Sequence, residues 1–502
     1  MGRPSAAMFL NHPRGLAVLV ALKIWELFSY QGMRAFLVLY LIATFALGDA
    51  EAAVLFGSYA SLVLATAVFG GLIADRWLGA KEPMIVGACL IMVGHLGLAL
   101  ENFLGGRGLL QPEAIFDMFC GSLAVIAVGT GLLKPNVLNL IGGLYRRDDP
   151  RRDTGYYLYY IGVNIGSFSA PLVCGYLSSR YGWAYGFAAA ALGMAAGLLV
   201  LVLGRRHIVS AEQDESATPR VITLRHRLGI YASVAAAIAL AALLIQQGVV
   251  LAMLLAATLM FGAVYLLTVA KAHGNEATAA VWGFFAVMPV PALFVILFEQ
   301  FSLSVNLFAD RLVDRDFFGA TFAAPQLLSL NSICVLVVLP LLAMAWAALR
   351  ERGVDPATTT KFAVGFALMA IGFLVLTTGV VASAGRVDLK WVVAGYVLIT
   401  VGELCIAPLT YAMVGKTLPK PLEGVGMGLL QLSFSIGNLC AGLFATLGAV
   451  PKGSSDIQIK EIYAEFFVMA SLLGVGAAAF CLLIGRWFAA RDARTAPQRL
   501  PA

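Results

Sequence analysis

The sequence has little charge and lacks the side-chain combinations that most enzymes and metal sites need. Asp, Glu, Lys and Arg make up 12% of the 502 residues, against roughly 25% in an ordinary soluble domain. The seven cysteines form no CxxC pair, and no HExxH, GxSxG or phosphate-loop motif is present. These absences argue against a soluble domain, an enzyme, and a bound metal or other cofactor.

Apolar residues take the place of the missing charge. They account for 60% of the chain, and the mean hydropathy is +0.87. The net charge of +6 is concentrated in alternate loops rather than in a basic arm, so it indicates no nucleic-acid partner. We therefore expect an integral membrane protein surrounded by the lipid bilayer.

Segments of about 20 apolar residues are long enough to cross a membrane as helices, and the chain contains fourteen of them. Lys and Arg are concentrated in the loops on the same side as both termini, and the positive-inside rule places that side in the cytoplasm. The sequence therefore predicts a multi-pass protein of the cell inner or plasma membrane with both termini cytoplasmic. The predicted spans are 15–46, 52–75, 82–101, 113–143, 154–179, 183–204, 228–247, 249–270, 279–309, 325–349, 360–383, 390–415, 422–448 and 462–487.

Spans seven and eight are set apart from the rest by their connections. The polar, basic stretch 205–227 precedes span seven, whereas a turn of only Gln-Gln-Gly joins it to span eight. We expect these two helices to form a hairpin between two six-helix bundles, which is typical of transporters built from repeated halves. The predicted division is 1–210 for the N-terminal bundle, 211–275 for a linker with the two extra helices, and 276–502 for the C-terminal bundle.

Six Lys, Arg and Glu residues lie deep inside the predicted spans, away from their ends, where a charge costs at least ~2.5 kcal/mol. Such residues mark functional sites unless they are structural pairs that lock helices together. Lys23 and Glu26 lie three residues apart on one helix face, so each offsets part of the cost of the other. Glu403 is followed by Pro408, where a helix can break. The six are Lys23, Glu26, Arg34, Lys134, Glu299 and Glu403, and Asn164 and Asn331 occupy comparable places.

Several long segments resemble the proton-dependent oligopeptide transporters of the major facilitator superfamily. The most specific match runs from span four to span five, through GLLKPNV, DPRRD and YYIGVNIGSFSAPLVCGY. LFEQFSLSVNLFAD, LLSLN and GELCIAPL match further family segments in the same order. The resemblance implies an all-α membrane protein of the major facilitator fold, with two six-helix bundles plus a two-helix insertion and a central cavity that opens alternately to each side.

The segment GGLIADRWLGAKEP after span two resembles the loop motif of the major facilitators. Gly71 would allow close contact between helices, Asp75 would lie where a helix end meets water, and Arg76 would anchor the cytoplasmic side. The other interpretation is a capped, charged membrane edge without a role in gating.

The resemblance also implies roles for individual residues. In the family, the peptide carboxylate faces an arginine and a lysine that correspond to Arg34 and Lys134. The peptide amino terminus meets a glutamate that corresponds to Glu403, with asparagines that correspond to Asn164 and Asn331.

Three further positions complete the expected site. Tyr30 matches a tyrosine of the family's binding pocket, and Glu299 matches a glutamate that takes part in proton handling. Glu26 matches the second glutamate of the family motif in helix one, so Glu26 and Glu299 are the expected proton-coupling residues. No cofactor is implied.

Five positions depart from the family pattern. The helix-one motif of the family begins with Glu and has Arg directly after its second Glu, and both are replaced here. Three aromatic pocket residues, two tryptophans and one tyrosine, are replaced by aliphatic ones, which predicts a roomier and more aliphatic cavity. The departures are Lys23, Leu27, Leu64, Val295 and Leu430.

The departures in helix one change the expected charge of the cavity. Two Glu and one Arg give the family motif a formal charge of −1, whereas Lys23, Glu26 and Leu27 sum to zero. The remaining two cations and two carboxylates cancel, so the cavity is neutral before any proton binds. Burial of net charge is costlier than burial of a balanced set, and we therefore expect weaker proton coupling than in the family. The alternative is that Glu26 and Glu299 suffice for ordinary coupling.

The expected function is secondary active import of di- or tripeptides, or peptide-like compounds, by alternating access. Small peptides and protons are the expected partners, and the protein is expected to be monomeric. Two alternatives remain. A transporter or exporter of a non-peptide amphipathic metabolite would use the same architecture, and a non-transporting membrane receptor or assembly subunit would keep the fold without turnover.

Overall fold

A computed structural model describes residues 12–146, 148–209, 211, 223–317 and 319–495. Within them, fourteen helices are long and apolar enough to cross a membrane, which confirms the predicted all-α membrane fold. The helices are α1 (Arg14–Phe45), α2 (Asp49–Leu78), α3 (Lys81–Gly106), α4 (Pro112–Gly143), α5 (Arg151–Tyr181), α6 (Trp183–His207), α7 (Leu224–Gln246), α8 (Gly248–Ala272), α9 (Asn275–Leu312), α10 (Ala324–Glu351), α11 (Thr358–Ala382), α12 (Leu389–Thr417), α13 (Lys420–Gly448) and α14 (Asp456–Arg491).

Short strands occur in the loops that follow α9 and α11. Two of them pair in parallel and two in antiparallel fashion. They are β1 (Val313–Asp314), β2 (Asp316–Phe317), β3 (Ala320–Thr321) and β4 (Val387–Asp388), with β1 paired to β4 and β2 to β3.

The chain forms two compact units. The first comprises Met1–Leu251 and Arg315–Ile333, and the second comprises Ala252–Asp314 and Cys334–Ala502. The first unit therefore contains α1 to α7 and the beginning of α10. Most of α8 belongs to the second unit, so the two helices of the insertion are divided between the units.

Glycines let helices of the first unit approach until their backbones touch. A Cβ atom at Gly70 of α2 would lie 2.1 Å from the carbonyl oxygen of Gly131 on α4. A Cβ atom at Gly87 of α3 would lie 2.5 Å from the carbonyl oxygen of Gly129. Small residues permit such contacts between membrane helices. Both α2 and α3 therefore press on α4 just before Lys134 and fix the position of that lysine.

The second unit contains similar contacts beside Glu299 and Glu403. A Cβ atom at Gly402 of α12 would lie 2.5 Å from the carbonyl oxygen of Gly365 on α11. A Cβ atom at Gly437 of α13 would lie 3.0 Å from the Cβ atom of Val295 on α9. Glu403 follows the first contact directly, and Glu299 lies about one helical turn beyond the second.

α9 is interrupted in the middle of its span. Its α-helical pieces are Asn275–Val287, Pro289–Phe298 and Ser304–Leu312, and the residues Glu299–Phe301 form a 3₁₀ turn. A 3₁₀ turn within a long helix often marks a hinge or a sequence under strain. Glu299 therefore lies where the α-helical hydrogen-bonding pattern of the backbone gives way to a 3₁₀ turn.

α12, by contrast, continues through Pro408 as a single helix, so the proline does not break it. Proline removes only one backbone donor, and neighbouring packing can hold the helix on either side. A Cβ atom at Gly365 would lie 2.6 Å from the Cγ1 atom of Ile406, and the Thr410 hydroxyl donates to the Ile406 carbonyl at 2.9 Å. The contact with α11 thus supports α12 at its proline.

Candidate functional site

Two cations approach the ring of Tyr30 in the first unit. The Lys134 Nζ atom lies 4.4 Å from the ring centroid, and the Arg34 Cζ atom lies 5.4 Å from it. Arg34 also lies 5.2 Å from the ring centroid of Phe56 on α2. Cation–π contacts of this kind contribute about 0.5–2 kcal/mol. The aromatic rings position two positive charges inside the unit, where they can attract an anionic group.

Lys23 and Glu26 form an ion pair on α1. Both side chains are buried, and the Tyr159 hydroxyl on α5 interacts with the same ammonium group. The structure thus brings together the two residues that the i, i+3 spacing placed on one face. Tyr159 was not expected from the sequence, because its contact depends on how α5 is rotated against α1.

Leu27 and Leu64 are two of the positions that depart from the family pattern. Leu27 is buried against α5. A Cβ atom at Gly166 of α5 would lie 3.0 Å from the Cβ atom of Leu27. Leu64 is half-buried on α2. Leu27 therefore contributes to helix packing on the side of α1 that faces α5.

The two asparagines lie on helices that contact each other within the first unit. The Asn164 amide on α5 donates to the Tyr160 carbonyl at 2.9 Å. The Ser329 hydroxyl, at the beginning of α10, donates to the carbonyl of Phe168 on α5 at 2.7 Å. Asn331 follows two residues after Ser329, and Asn164 precedes Phe168 by one turn. The segment that carries Asn331 is thus held against the helix that carries Asn164.

Glu299 is buried at the 3₁₀ turn of α9. The next residue, Gln300, bridges the interruption, since its amide donates to the Ile296 carbonyl at 2.8 Å and to the Ala441 carbonyl of α13 at 3.2 Å. The Ser304 hydroxyl donates to the Gln300 side-chain oxygen at 3.0 Å. The turn is therefore supported by side-chain hydrogen bonds on both sides of Glu299.

Glu403 is half-buried on α12. α12 contacts α9 through the ring of Tyr396, which stacks on the ring of Phe301. The two ring centroids are 4.0 Å apart and the ring planes are 8° from parallel. Tyr396 precedes Glu403 by seven residues, which is about 10.5 Å along a helix at 1.5 Å per residue. Phe301 follows Glu299 by two residues, so one aromatic contact links the helices that carry the two carboxylates.

Val295 and Leu430, the other two pocket departures, are both buried in the second unit. Val295 lies in the close contact of α9 with α13 described above. Leu430 on α13 is 0% exposed. The proposed widening of the pocket at these positions stays a prediction.

The loop motif after span two forms an unexpected local structure. Ala74–Leu78 is one turn of π-helix that contains Asp75 and Arg76, and Gly79 follows with a positive φ of 69°. Asp75 and Arg76 are exposed, whereas Gly71 is half-buried on α2. A π-turn is rare and often occurs at functional positions, and no sequence pattern had indicated one here.

The charged connection before α5 is organised by Asp149. The guanidinium Nη2 atom of Arg151 donates to the Asp149 carboxylate at 2.8 Å, and the backbone N–H of Arg151 adds a second bond at 2.9 Å. These bonds hold the pKa of Asp149 below its usual range. The DPRRD segment thus starts α5 with an ion pair at the membrane edge.

No group of three or more His, Cys, Asp or Glu side chains suited to a metal ion occurs in the part of the chain that the structure describes.

Solved structures of similar proteins share this fold along nearly the whole chain. A crystal structure of the peptide transporter POT in complex with sulfate has a TM-score of 0.77 and 29% identity, covering 95% of this chain and 96% of that one. A variant of the same transporter in complex with alafosfalin has a TM-score of 0.79 and 28% identity, with the same coverage of 95% and 96%.

Sequence comparisons give the same result. The peptide transporter YePEPT of Yersinia enterocolitica is 32% identical, with 96% of each chain covered. The dipeptide and tripeptide permease A of Escherichia coli K12 is 30% identical, covering 96% of this chain and 94% of the permease. The family model PTR2, described as the POT family, matches residues 82–463. The chain belongs to the POT family.

Proposed function

We propose that this protein is a secondary active transporter that imports di- or tripeptides, or peptide-like compounds, by alternating access. The observation that carries the proposal is the approach of Lys134 and Arg34 to one buried aromatic ring, Tyr30. Two fixed cations inside a membrane protein suit the carboxylate of a peptide. The relatives named as peptide transporters and as dipeptide and tripeptide permeases support the same substrate class.

The chain is a multi-pass inner-membrane protein with a transporter role rather than an enzymatic one. Both termini lie in the cytoplasm in this proposal, because Lys and Arg are concentrated in the loops on their side. The protein is monomeric, and it takes up substrate from the outer side. The proposed division remains 1–210, 211–275 and 276–502.

Each predicted site residue has a role in the proposal. Arg34 and Lys134 bind the peptide carboxylate, and Glu403 binds the amino group. Asn164 and Asn331 add polar contacts to the amino end, which agrees with the docking of their helices on each other. Tyr30 positions the two cations through its ring.

Proton coupling is weak in this proposal because the buried charges already balance. The Lys23–Glu26 pair supports this proposal, since it places an internal cation where the family has a carboxylate. Glu299 is then the main group that exchanges protons. Replacing Glu299 by Gln should abolish the remaining acid stimulation of uptake, measured with the membrane potential clamped. Steep acid-stimulated accumulation that persists in Glu299→Gln and disappears with an uncoupler would contradict this part.

Competition against labelled dialanine, bound to the purified protein, tests the substrate class. Unlabelled dialanine should compete well, whereas N-acetyl-dialanine and dialanine amide should compete poorly, because each has lost one of the two charges that the site binds. Equal competition by all three compounds would contradict the proposed recognition of both peptide termini. No binding of dialanine at all would favour a non-peptide substrate.

A further inference from the structure

A buried carboxyl group at the end of α3 has no place in the proposed substrate site. Glu101 is 0% exposed. One of its oxygens, Oε1, accepts a hydrogen bond from the Tyr40 hydroxyl at 2.6 Å, and the amide of Asn102 lies 3.4 Å from that hydroxyl. The other oxygen, Oε2, is buried and has no hydrogen-bond partner among the described residues.

The groups around Glu101 carry no compensating positive charge. α1 contributes the Tyr40 hydroxyl, and α4 contributes the Cys120 thiol. From α6, the rings of Trp183 and Phe187 pack around Tyr40 and carry no charge. No lysine, arginine or histidine forms an ion pair with Glu101 in the described part of the chain. An ionised carboxylate in such surroundings is far less stable than a neutral carboxylic acid.

A cavity adjoins this carboxyl group within the first unit. Its volume is about 620 Å³, and its wall includes Glu101 and Asn102 together with the rings of Phe45 and Phe116. The wall also contains Glu113, which is exposed. The cavity lies where α1 and α3 end and α4 begins, which is the outer side of the membrane if both termini are cytoplasmic. Water that enters this cavity would give Glu101 a source of protons.

The backbone beside the cavity is unusual. Ala46, which also lines the cavity, has a φ of 52° and is the one non-glycine residue with positive φ among the described residues. Such a conformation is strained for an alanine, whose Cβ atom comes too close to the following carbonyl oxygen. Strained backbone residues cluster at functional sites, so the strain at Ala46 agrees with a functional role for this cavity.

We propose that Glu101 is a proton-binding site of the first unit, separate from Glu26 and Glu299. It is a neutral carboxylic acid in this conformation, and it exchanges its proton with outer water when the cavity wall opens. The unsatisfied Oε2 atom carries the proton, while Oε1 keeps its bond to Tyr40. Protonation itself does not depend on peptide transport, whereas any effect on uptake rests on the proposed function.

Infrared spectroscopy of the full chain in lipid nanodiscs tests this proposal without any peptide. Exposed glutamates ionise near pH 4.3, so at pH 7 the carbonyl band of a carboxylic acid reports only buried, protonated groups. The difference spectrum of wild type minus Glu101→Gln should contain that band. Glu113→Gln is the matched control: its own spectrum should contain the band, so the difference spectrum of wild type minus Glu113→Gln should lack it.

Tyr40→Phe provides a second readout in case Glu101→Gln does not fold. Loss of the hydrogen bond to Oε1 should shift the carbonyl band without removing it. An identical band in wild type, Glu101→Gln and Tyr40→Phe would overturn the proposal. Absence of the band in wild type, together with thermal stabilisation by sodium that Glu101→Gln abolishes, would assign a metal-cation site instead. Failure of dialanine to bind would contradict the proposed function and leave the infrared result unaffected.

Discussion

The ion pair of Lys23 with Glu26 concerns a single turn of α1, yet it changes the charge that the whole site must bury. Lys23 stands where the resembling family has a glutamate, and in the proposal it supplies the positive charge that offsets Glu26. A buried charge that loses its partner costs about 3–5 kcal/mol. In the proposal, the identity of residue 23 therefore decides whether Glu26 has a compensating charge.

Replacing Lys23 by Gln tests this argument. Glu26 then lacks its buried cation and avoids most of the cost by taking up a proton. We expect uptake by Lys23→Gln to rise more steeply with external acid than uptake by wild type, at clamped membrane potential. The double variant Lys23→Gln/Glu26→Gln, which removes both charges, should return to a shallow profile. The same pH profile in all three proteins would contradict the role of the pair.

Replacing Glu403 by Gln tests the proposed contact with the peptide amino group. A charge-assisted hydrogen bond contributes about 1.5–3 kcal/mol, so the dissociation constant of dialanine should rise about tenfold or more. Glu461→Gln is the matched control, since Glu461 is an exposed glutamate at the start of α14. Calorimetric titration of both variants gives the comparison, and equal affinities would remove Glu403 from the site.

Residue types and spacing predicted the contact of Lys23 with Glu26, but not the other side chains around this pair or around Glu101. Lys23 and Glu26 are close in sequence, so helical geometry alone places them together. Tyr159, Tyr40 and Glu101 make contacts between helices, and these depend on helix rotation, which hydropathy does not specify. A tyrosine or glutamate in an apolar span is the one signal that could have pointed to them.

At the scale of the helices, backbone contacts at glycines hold the first unit together. A Cβ atom at Gly70 would lie 2.1 Å from the Gly131 carbonyl oxygen, whereas nothing lies within 4 Å of one at Gly121. Gly70→Ala forces α2 away from α4, and overpacking of this kind costs about 1–3 kcal/mol. We expect a lower unfolding temperature for Gly70→Ala and no loss for Gly121→Ala. An unchanged unfolding temperature in Gly70→Ala would contradict the close contact.

The number and approximate limits of the helices followed from hydropathy, because the membrane thickness imposes a minimum apolar length. Local interruptions did not. The 3₁₀ turn at Glu299–Phe301 and the π-turn at Ala74–Leu78 depend on packing and side-chain hydrogen bonds that have no periodic signature. The continuity of α12 at Pro408 had no signal in the sequence either, since it depends on packing against α11.

For the whole transporter, the three aliphatic residues at positions where the family has aromatic ones are expected to change which peptides are accepted. If Leu64, Val295 and Leu430 widen the pocket, larger apolar side chains gain burial at ~25 cal/mol per Å². We expect dileucine to be taken up at least as well as dialanine. Leu64→Tyr, at the half-buried one of the three positions, should reverse that order by filling the space. A marked preference of wild type for dialanine would contradict the widened pocket.

Counterflow tests whether this protein carries peptides by alternating access. Proteoliposomes loaded with unlabelled dialanine are diluted into labelled dialanine, without a proton gradient and with the membrane potential clamped. We expect transient accumulation of label inside, because exchange of unlabelled for labelled dialanine needs only alternating access. No accumulation by protein that binds dialanine in detergent would contradict it.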